Sequence, residues 1–175
     1  RRYNRGMNDE HPAPSTTSSP RIALGCMGMS GAYGKTDDAQ SIAVIHAAIE
    51  RGVTFLDTGD FYGAGLNELL IGKAIAGRRD AVFLVSKVLP SHASRAGTIR
   101  ACEQSLKRLG TDFIDILYLH REDIGTPLEE TVRAMGDLIR QGKIRYFGVS
   151  NYRAWRVAEI CNLCDDNGID RPIVS

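Results

Sequence analysis

The chain lacks most of the features that place a protein in a membrane, secreted or nucleic-acid-binding class. Its 175 residues contain no run of 18 apolar residues, so we expect no membrane span, and the polar start predicts no secretory signal. The 22 basic and 21 acidic residues are mixed without a basic stripe, which argues against nucleic acid as a partner. What remains, 43% hydrophobic and 25% charged residues, is typical of a globular domain with a core.

Common nucleotide and metal motifs are also missing. After the first predicted strand the sequence reads GCMG at residues 25–28 instead of GxGxxG, and it contains no GxxxxGK[ST] phosphate loop. Among the four cysteines, Cys161 and Cys164 have CxxC spacing, but no second pair completes a zinc site. We therefore expect two ordinary helix residues and no metal. So few cysteines are typical of reduced thiols, which predicts a cytoplasmic protein.

Hydrophobic periodicity divides the chain into an irregular start and a regular remainder. Residues 1–20, rich in Pro, Ser and Thr, are expected to be a disordered tail or residues added for expression, and residues 21–175 form the folded part. Apolar runs predict strands at residues 21–26, 53–57, 81–87, 114–120 and 144–149, with a sixth beginning at 172–175. Helical patterns occupy residues 37–51 (capped by Thr36 or Asp37), 67–77 (with Leu69, Leu70 and Ala74 inward), 98–109, 127–142 and 152–166.

The alternation of strands and helices predicts an α/β fold with a parallel sheet and right-handed crossovers. The residues leave two closures open, a doubly wound open sheet and an eight-stranded (β/α)8 barrel. In both folds the functional site lies at the carboxyl ends of the strands. Polar residues at those ends are therefore the candidates for a site.

Three predicted strands end in polar residues. Asp57 ends the second strand and Tyr62 follows five residues later, whereas Lys87 ends the third strand and His120 the fourth. Each alone has an ordinary explanation as a turn cap, a packed aromatic, a solvated strand end or a buried histidine. Because parallel strands end at one edge of a sheet, we expect the four side chains to share a pocket. His92, in the loop after Lys87, either lines its mouth or is an ordinary surface residue.

The order of short segments resembles the aldo-keto reductases, NAD(P)H-dependent (β/α)8-barrel enzymes. The resemblance runs from about residue 21 to residue 175 and implies a TIM barrel. Such a barrel needs at least roughly 200 residues, so the chain would hold only its first five to six β/α units. The segments that carry the resemblance are LGCMGMS (24–30), FLDTGDFYG (55–63), NE (67–68), VSK (85–87), SLKRLGTD (105–112), YLH (118–120) and GKIRYFGVSN (142–151).

The resemblance implies reduction of a small aldehyde or ketone to an alcohol with hydride from NADPH, NADH being less favoured. The family also includes non-catalytic regulatory or binding subunits, which is the competing hypothesis. Another barrel chemistry, such as sugar-phosphate isomerisation, has no phosphate loop here to favour it. The implied catalytic residues are Asp57, Tyr62, Lys87 and His120. The implied cofactor-binding residues are Gly25, Cys26, Met27, Asp57, Ser150 and Asn151, the last two on the nicotinamide carboxamide.

These four side chains suit carbonyl reduction. Hydride attack builds negative charge on the carbonyl oxygen, and a proton donor aimed at that oxygen stabilises the transition state. Tyr62 would be this donor, because a phenol gives up its proton more readily beside an ammonium ion such as Lys87. Asp57 would hold Lys87 in place and charged, and His120 would donate a second hydrogen bond or position the substrate. The natural substrate and the oligomeric state are not specified by the sequence.

Overall fold

The computed structural model describes residues 22–175 as alternating strands and helices. The tail expected at residues 1–20 lies outside the described residues. Within the described range, no helix is both long and apolar enough to cross a bilayer. The strands are β1 (Ala23–Gly25), β2 (Phe55–Asp57), β3 (Phe83–Val88), β4 (Ile114–Leu119) and β5 (Ile144–Val149). The helices of ten or more residues are α1 (Asp38–Glu50), α2 (Leu66–Ile75), α3 (Arg95–Leu109), α4 (Leu128–Arg140) and α5 (Ala154–Asn167).

The strands form one parallel sheet whose spatial order, β1-β2-β3-β4-β5, follows the chain. A doubly wound sheet reverses its strand order at a switch point, whereas a barrel adds each new strand on the same side of the last. The consecutive order therefore decides between the two predicted closures in favour of a barrel wall. It also aligns the carboxyl ends of the strands, since Gly25 is registered with Asp57 and Asp57 with Val85.

The main hydrophobic core lies between the helices and one face of this sheet. Leu56, Leu84 and Leu117 on the strands are fully buried there, together with Ile71 on α2 and Met135 on α4. Burying a leucine-sized side chain contributes roughly 1.5–3 kcal/mol, so this layer carries much of the stability of the fold. The helices are thereby fixed on the outside of the barrel wall.

The opposite, inner face of the sheet carries the alternate strand residues. Phe55 and Phe83 stack there with ring centroids 5.1 Å apart. Side chains two residues apart on a strand point to the same face, so Asp57 shares this face with Phe55, and Lys87 shares it with Phe83. Strand side chains alternate between the two faces of the sheet. The aliphatic residues therefore lie under the helices, and Asp57 and Lys87 lie on the inside of the wall.

Two predictions about the elements are wrong. Leu69 is 42% exposed although the adjacent Leu70 is buried, because neighbouring helix residues lie about 100° apart around the axis. The sixth strand expected at residues 172–175 is irregular and does not form a regular ladder. The segment still follows the edge of β5: Ile173 N–H donates to the Phe147 carbonyl at 3.0 Å.

Candidate active site

The carboxyl end of the sheet brings Asp57, Tyr62 and Lys87 together. Lys87, near the end of β3 and 8% exposed, donates from Nζ to the Asp57 carboxylate and to the Tyr62 hydroxyl at 3.2 Å. Its third acceptor is the Thr58 carbonyl at 2.8 Å. An ammonium has three N–H groups, so these contacts use all of them and fix its orientation. Because the Tyr62 oxygen accepts from Lys87, its own proton is free to point at a ligand.

The backbone turns sharply directly after Tyr62. Gly63, Ala64 and Gly65 are three consecutive residues with positive φ, at 56°, 54° and 92°. A left-handed conformation costs an ordinary residue such as Ala64 roughly 1–2 kcal/mol. The strain lies at Ala64, two residues after Tyr62, and such a conformation persists only where surrounding contacts maintain it.

His120 lies in the same cluster through Phe61. The Phe61 ring packs edge-on against Tyr62 at 4.6 Å and against the His120 ring at 4.5 Å. Burial lowers the pKa of His120 below its ordinary value, and the charges of Arg121 and Lys87 lower it further, against the opposing effect of Asp57. The imidazole is therefore neutral at neutral pH. Its Nδ1 is buried and has no hydrogen-bond partner among residues 22–175.

Ser150 and Asn151 follow β5 and are tied to the His120 segment. Asn151, at a left-handed φ of 57°, donates from Nδ2 to the His120 carbonyl at 2.9 Å and to the Ser150 hydroxyl oxygen at 3.0 Å. These bonds use both N–H groups of the amide, and the Asn151 side-chain oxygen and the Ser150 proton have no partner among the described residues. One acceptor beside one donor complements a primary carboxamide.

The predicted contact segment after β1 is placed beside Asp57. Both backbone groups of Cys26 are already bonded: its N–H donates to the Asp57 carbonyl at 2.8 Å and its carbonyl accepts from Asn67 at 2.8 Å. Burial raises the pKa of the Cys26 thiol to about 12, so it packs as a neutral side chain. Gly25 faces open space, since a Cβ there would meet nothing within 4 Å. Met27, half-buried, begins a short 3-10 turn.

A buried asparagine that the sequence interpretation gave no role joins the loops after β1 and β2. Asn67 is fully buried; its Oδ1 accepts from the Thr58 hydroxyl at 2.6 Å, and its Nδ2 donates to the Ser30 hydroxyl at 2.6 Å as well as to Cys26. A polar pair at residues 67–68 within an apolar helical pattern was the only sequence signal for it.

Glu68, the other member of that pair, lies behind Lys87. Its carboxylate is fully buried and accepts from Ser86, the neighbour of Lys87, at 2.6 Å and from Arg108 Nε on α3 at 2.6 Å. The Arg108 side chain also covers Gly65, where a Cβ would lie 2.9 Å from Arg108 Cδ. This ion pair therefore supports both β3 and the end of the strained loop.

Known proteins share much of this sequence. A model of the Aldo/keto reductase family matches residues 21–174. The chain is 42% identical over 151 residues to aldo-keto reductase YhdN of Bacillus subtilis, covering 80% of this chain and 46% of the relative. It is 45% identical over 136 residues to methylglyoxal reductase YeaE of Escherichia coli, covering 77% and 46%. The chain spans about half the length of these relatives.

Solved structures share the fold. The aldo/keto reductase from Klebsiella pneumoniae in complex with NADP and acetate matches with a TM-score of 0.74 and 44% identity, over 79% of this chain and 48% of that chain. The thermostable aldo-keto reductase Tm1743, in complex with the inhibitor epalrestat, matches with a TM-score of 0.80 and 38% identity, over 92% and 60%. The five strands are thus part of a TIM barrel, and the chain belongs to the aldo/keto reductase family.

Proposed function

We propose that the protein reduces an aldehyde or ketone to an alcohol and that Tyr62 delivers the proton. The observation that carries the proposal is the 3.2 Å contact between the Tyr62 hydroxyl and a buried Lys87 that is ion-paired with Asp57. A reduced nicotinamide cofactor, when bound, supplies the hydride. An intact arrangement of this kind favours an enzyme over a non-catalytic subunit, which has no need to keep a buried ammonium against a phenol.

Each side chain has one task in the proton transfer. As negative charge builds on the carbonyl oxygen, Tyr62 gives its proton to that oxygen and becomes a phenolate. Lys87 stabilises this phenolate, and Asp57 keeps Lys87 charged and oriented. His120, whose imidazole is neutral at neutral pH, donates a second hydrogen bond to the same oxygen and leaves the proton transfer to Tyr62.

The residues present fit a nicotinamide at the carboxyl end of the sheet. The Ser150 hydroxyl and the Asn151 carbonyl would bind its carboxamide, and the open space at Gly25 allows close approach beside Asp57. We propose NADPH rather than NADH because a structural relative was solved with NADP. The described cysteines are all free thiols, which supports our proposal of a cytoplasmic protein.

The substitution Tyr62→Phe tests the proposal. In the full-length protein we expect it to lower carbonyl-dependent NADPH oxidation by about 10²–10³-fold, because the proton donor is lost while the ring packing remains. Methylglyoxal is a suitable assay substrate, since one relative is named a methylglyoxal reductase. Tyr33→Phe, at an 81% exposed tyrosine, is the matched control and should keep the parent rate. An undiminished rate in Tyr62→Phe would favour a binding or regulatory subunit.

A further inference from the structure

A second acid and a histidine meet beside the catalytic residues. Asp60 lies in the loop between β2 and α2, and its N–H donates to the Lys87 carbonyl at 3.1 Å. Its side chain is only 6% exposed and faces His92, in the loop between β3 and α3, with 3.5 Å between Asp60 Oδ2 and His92 Nδ1. The two loops are thus joined once through the backbone and once through this side-chain pair.

His92 is held rigidly by its own backbone. Its N–H donates to the Leu89 carbonyl at 3.0 Å, and its carbonyl accepts from the fully buried Thr98 hydroxyl at 2.7 Å. Gly97 packs against the same carbonyl so closely that a Cβ would lie 2.9 Å from it. The outer part of the ring is exposed, but Nδ1 is buried against Asp60. The backbone of His92 is therefore fixed to the start of α3, while its ring faces Asp60.

The Asp60 carboxylate sits in an environment that does not favour its charge. Its Oδ1 is buried and has no hydrogen-bond partner in the described part of the chain. Burial, followed by the negative charge of Glu68, raises the pKa of Asp60 to about 6; His92, Arg108 and the Leu89 amide act in the opposite direction. Among these groups His92 faces the carboxylate from the neighbouring loop, so the contact between the two depends on the ionisation of Asp60.

We propose that Asp60 and His92 are positioning residues for Tyr62, holding the loop that carries it against the β3–α3 loop. Phe61, directly after Asp60, packs on the rings of both Tyr62 and His120, so a shift of Asp60 moves all three rings. The loop needs such a tie because it continues into the strained left-handed turn. The consequence for rate rests on the proposed function, whereas the contact itself does not.

The contact is tested by following the Asp60 side-chain carboxyl carbon by NMR as the pH is varied. In the parent chain its midpoint is expected at about 6. His92→Gln should raise that midpoint further, because it removes a cation that lowers the pKa of Asp60. His92→Lys keeps a cation at the position and should not raise it. A midpoint that is unchanged in His92→Gln overturns the proposal.

The positioning role is tested on Tyr62 directly. The ring signals of Tyr62, assigned by their loss in Tyr62→Phe, should shift with the same midpoint as Asp60, and this shift should disappear in Asp60→Asn. Asp112→Asn, at an exposed aspartate, is the control and should preserve it. Tyr62 signals that ignore the titration of Asp60 would show that the pair does not position the tyrosine.

Kinetics of the full-length protein complete the test. We expect Asp60→Asn to lower kcat by about tenfold with little change in KM, since a slightly misplaced donor affects the transition state more than substrate binding. We also expect the parent kcat to fall as the pH drops through about 6, where Asp60 takes up its proton, and we expect this fall to be absent in Asp60→Asn. An unchanged kcat and pH profile would contradict the proposal. Failure of the proposed function would appear separately, as a rate unaffected by Tyr62→Phe, because the NMR measurements need no turnover.

Discussion

The two ends of the sheet both hold a buried acid beside basic residues, but they differ in how fully the polar atoms are paired. At the amino end Asp115, 2% exposed, accepts from Arg79 at 2.7 Å and from the Leu84 N–H at 2.8 Å, and its Oδ1 forms an ion pair with Arg145 at 3.2 Å. The guanidinium carbons of Arg79 and Arg145 both lie over the Phe113 ring, 4.1 Å and 4.2 Å from its centroid. Both carboxylate oxygens are used, and the network joins β3, β4 and β5.

At the carboxyl end the pairing is incomplete. Buried atoms without a hydrogen-bond partner in the described residues include Asp60 Oδ1, His92 Nδ1 and His120 Nδ1. The Tyr62 hydroxyl accepts a hydrogen bond from Lys87, so this contact does not involve its own proton. Fully paired charges hold strands in place, whereas the carboxyl end keeps these buried polar atoms without a partner beside the Lys87 ammonium and leaves the Tyr62 proton free for transfer. The two ends therefore differ in the groups around the central ion pair: Lys87 is fully paired, but its neighbours Asp60, His92 and His120 keep buried polar atoms without a partner in the described residues.

The largest effect on the reduction rate is expected when the positive charge of Lys87 is removed. Lys87→Met in the full-length protein should lower the reduction rate by about 10²–10³-fold, because the phenolate formed from Tyr62 loses its stabilising charge. Circular dichroism should show an unchanged fold. Lys73→Met, at an exposed lysine of α2, should leave the rate at the parent value. A Lys87 variant with parent activity would remove the distinction between the two ends.

Breaking the amino-end cluster should affect stability instead of chemistry. Asp115→Ala leaves Arg79 and Arg145 without their shared partner and should lower the free energy of unfolding by about 3 kcal/mol in urea titrations. Glu129→Ala, which breaks an exposed i,i+4 pair with Arg133, is the control and should cost less than about 1 kcal/mol. Rates per folded molecule should be unchanged in both, and a loss as large as that of Lys87→Met would contradict the comparison.

A smaller effect is expected on the pH dependence of the free energy of unfolding, and it should be specific to Asp60. The folded-state pKa of Asp60 is about 6, above its ordinary 3.8, so the folded protein binds this proton more tightly than the unfolded chain. The associated stability is present below about pH 4 and is lost as the pH rises through 6. The stability of Asp60→Asn relative to the parent should therefore increase by about 2–3 kcal/mol between pH 4 and pH 7. Urea titrations at both pH values measure it, and Asp112→Asn should show no such change.

Local patterns predicted the elements well where neighbouring residues decide the conformation. The bounds of β5 match the predicted residues 144–149, and Asp37 caps α1 by accepting from the Gln40 N–H at 2.7 Å. α3 begins at Arg95, earlier than predicted, because Ser94 accepts from the Gly97 N–H at 3.2 Å. The prediction that Leu69 is buried was wrong for a different reason. The packing of α2 against its neighbours determines which leucine faces the core.

By itself the sequence determined the alternation of strand and helix and the polar residues at the strand tips, because both depend on residues within a few positions of one another. The tertiary structure supplied the strand order, which distinguishes a barrel wall from an open doubly wound sheet where the residue patterns left both possible. It also decided the supports of the site: Arg108 meets Glu68 from 40 residues away, and His92 meets Asp60 across two loops. Such pairs form only when separate loops converge, and no local pattern records which loops will be neighbours.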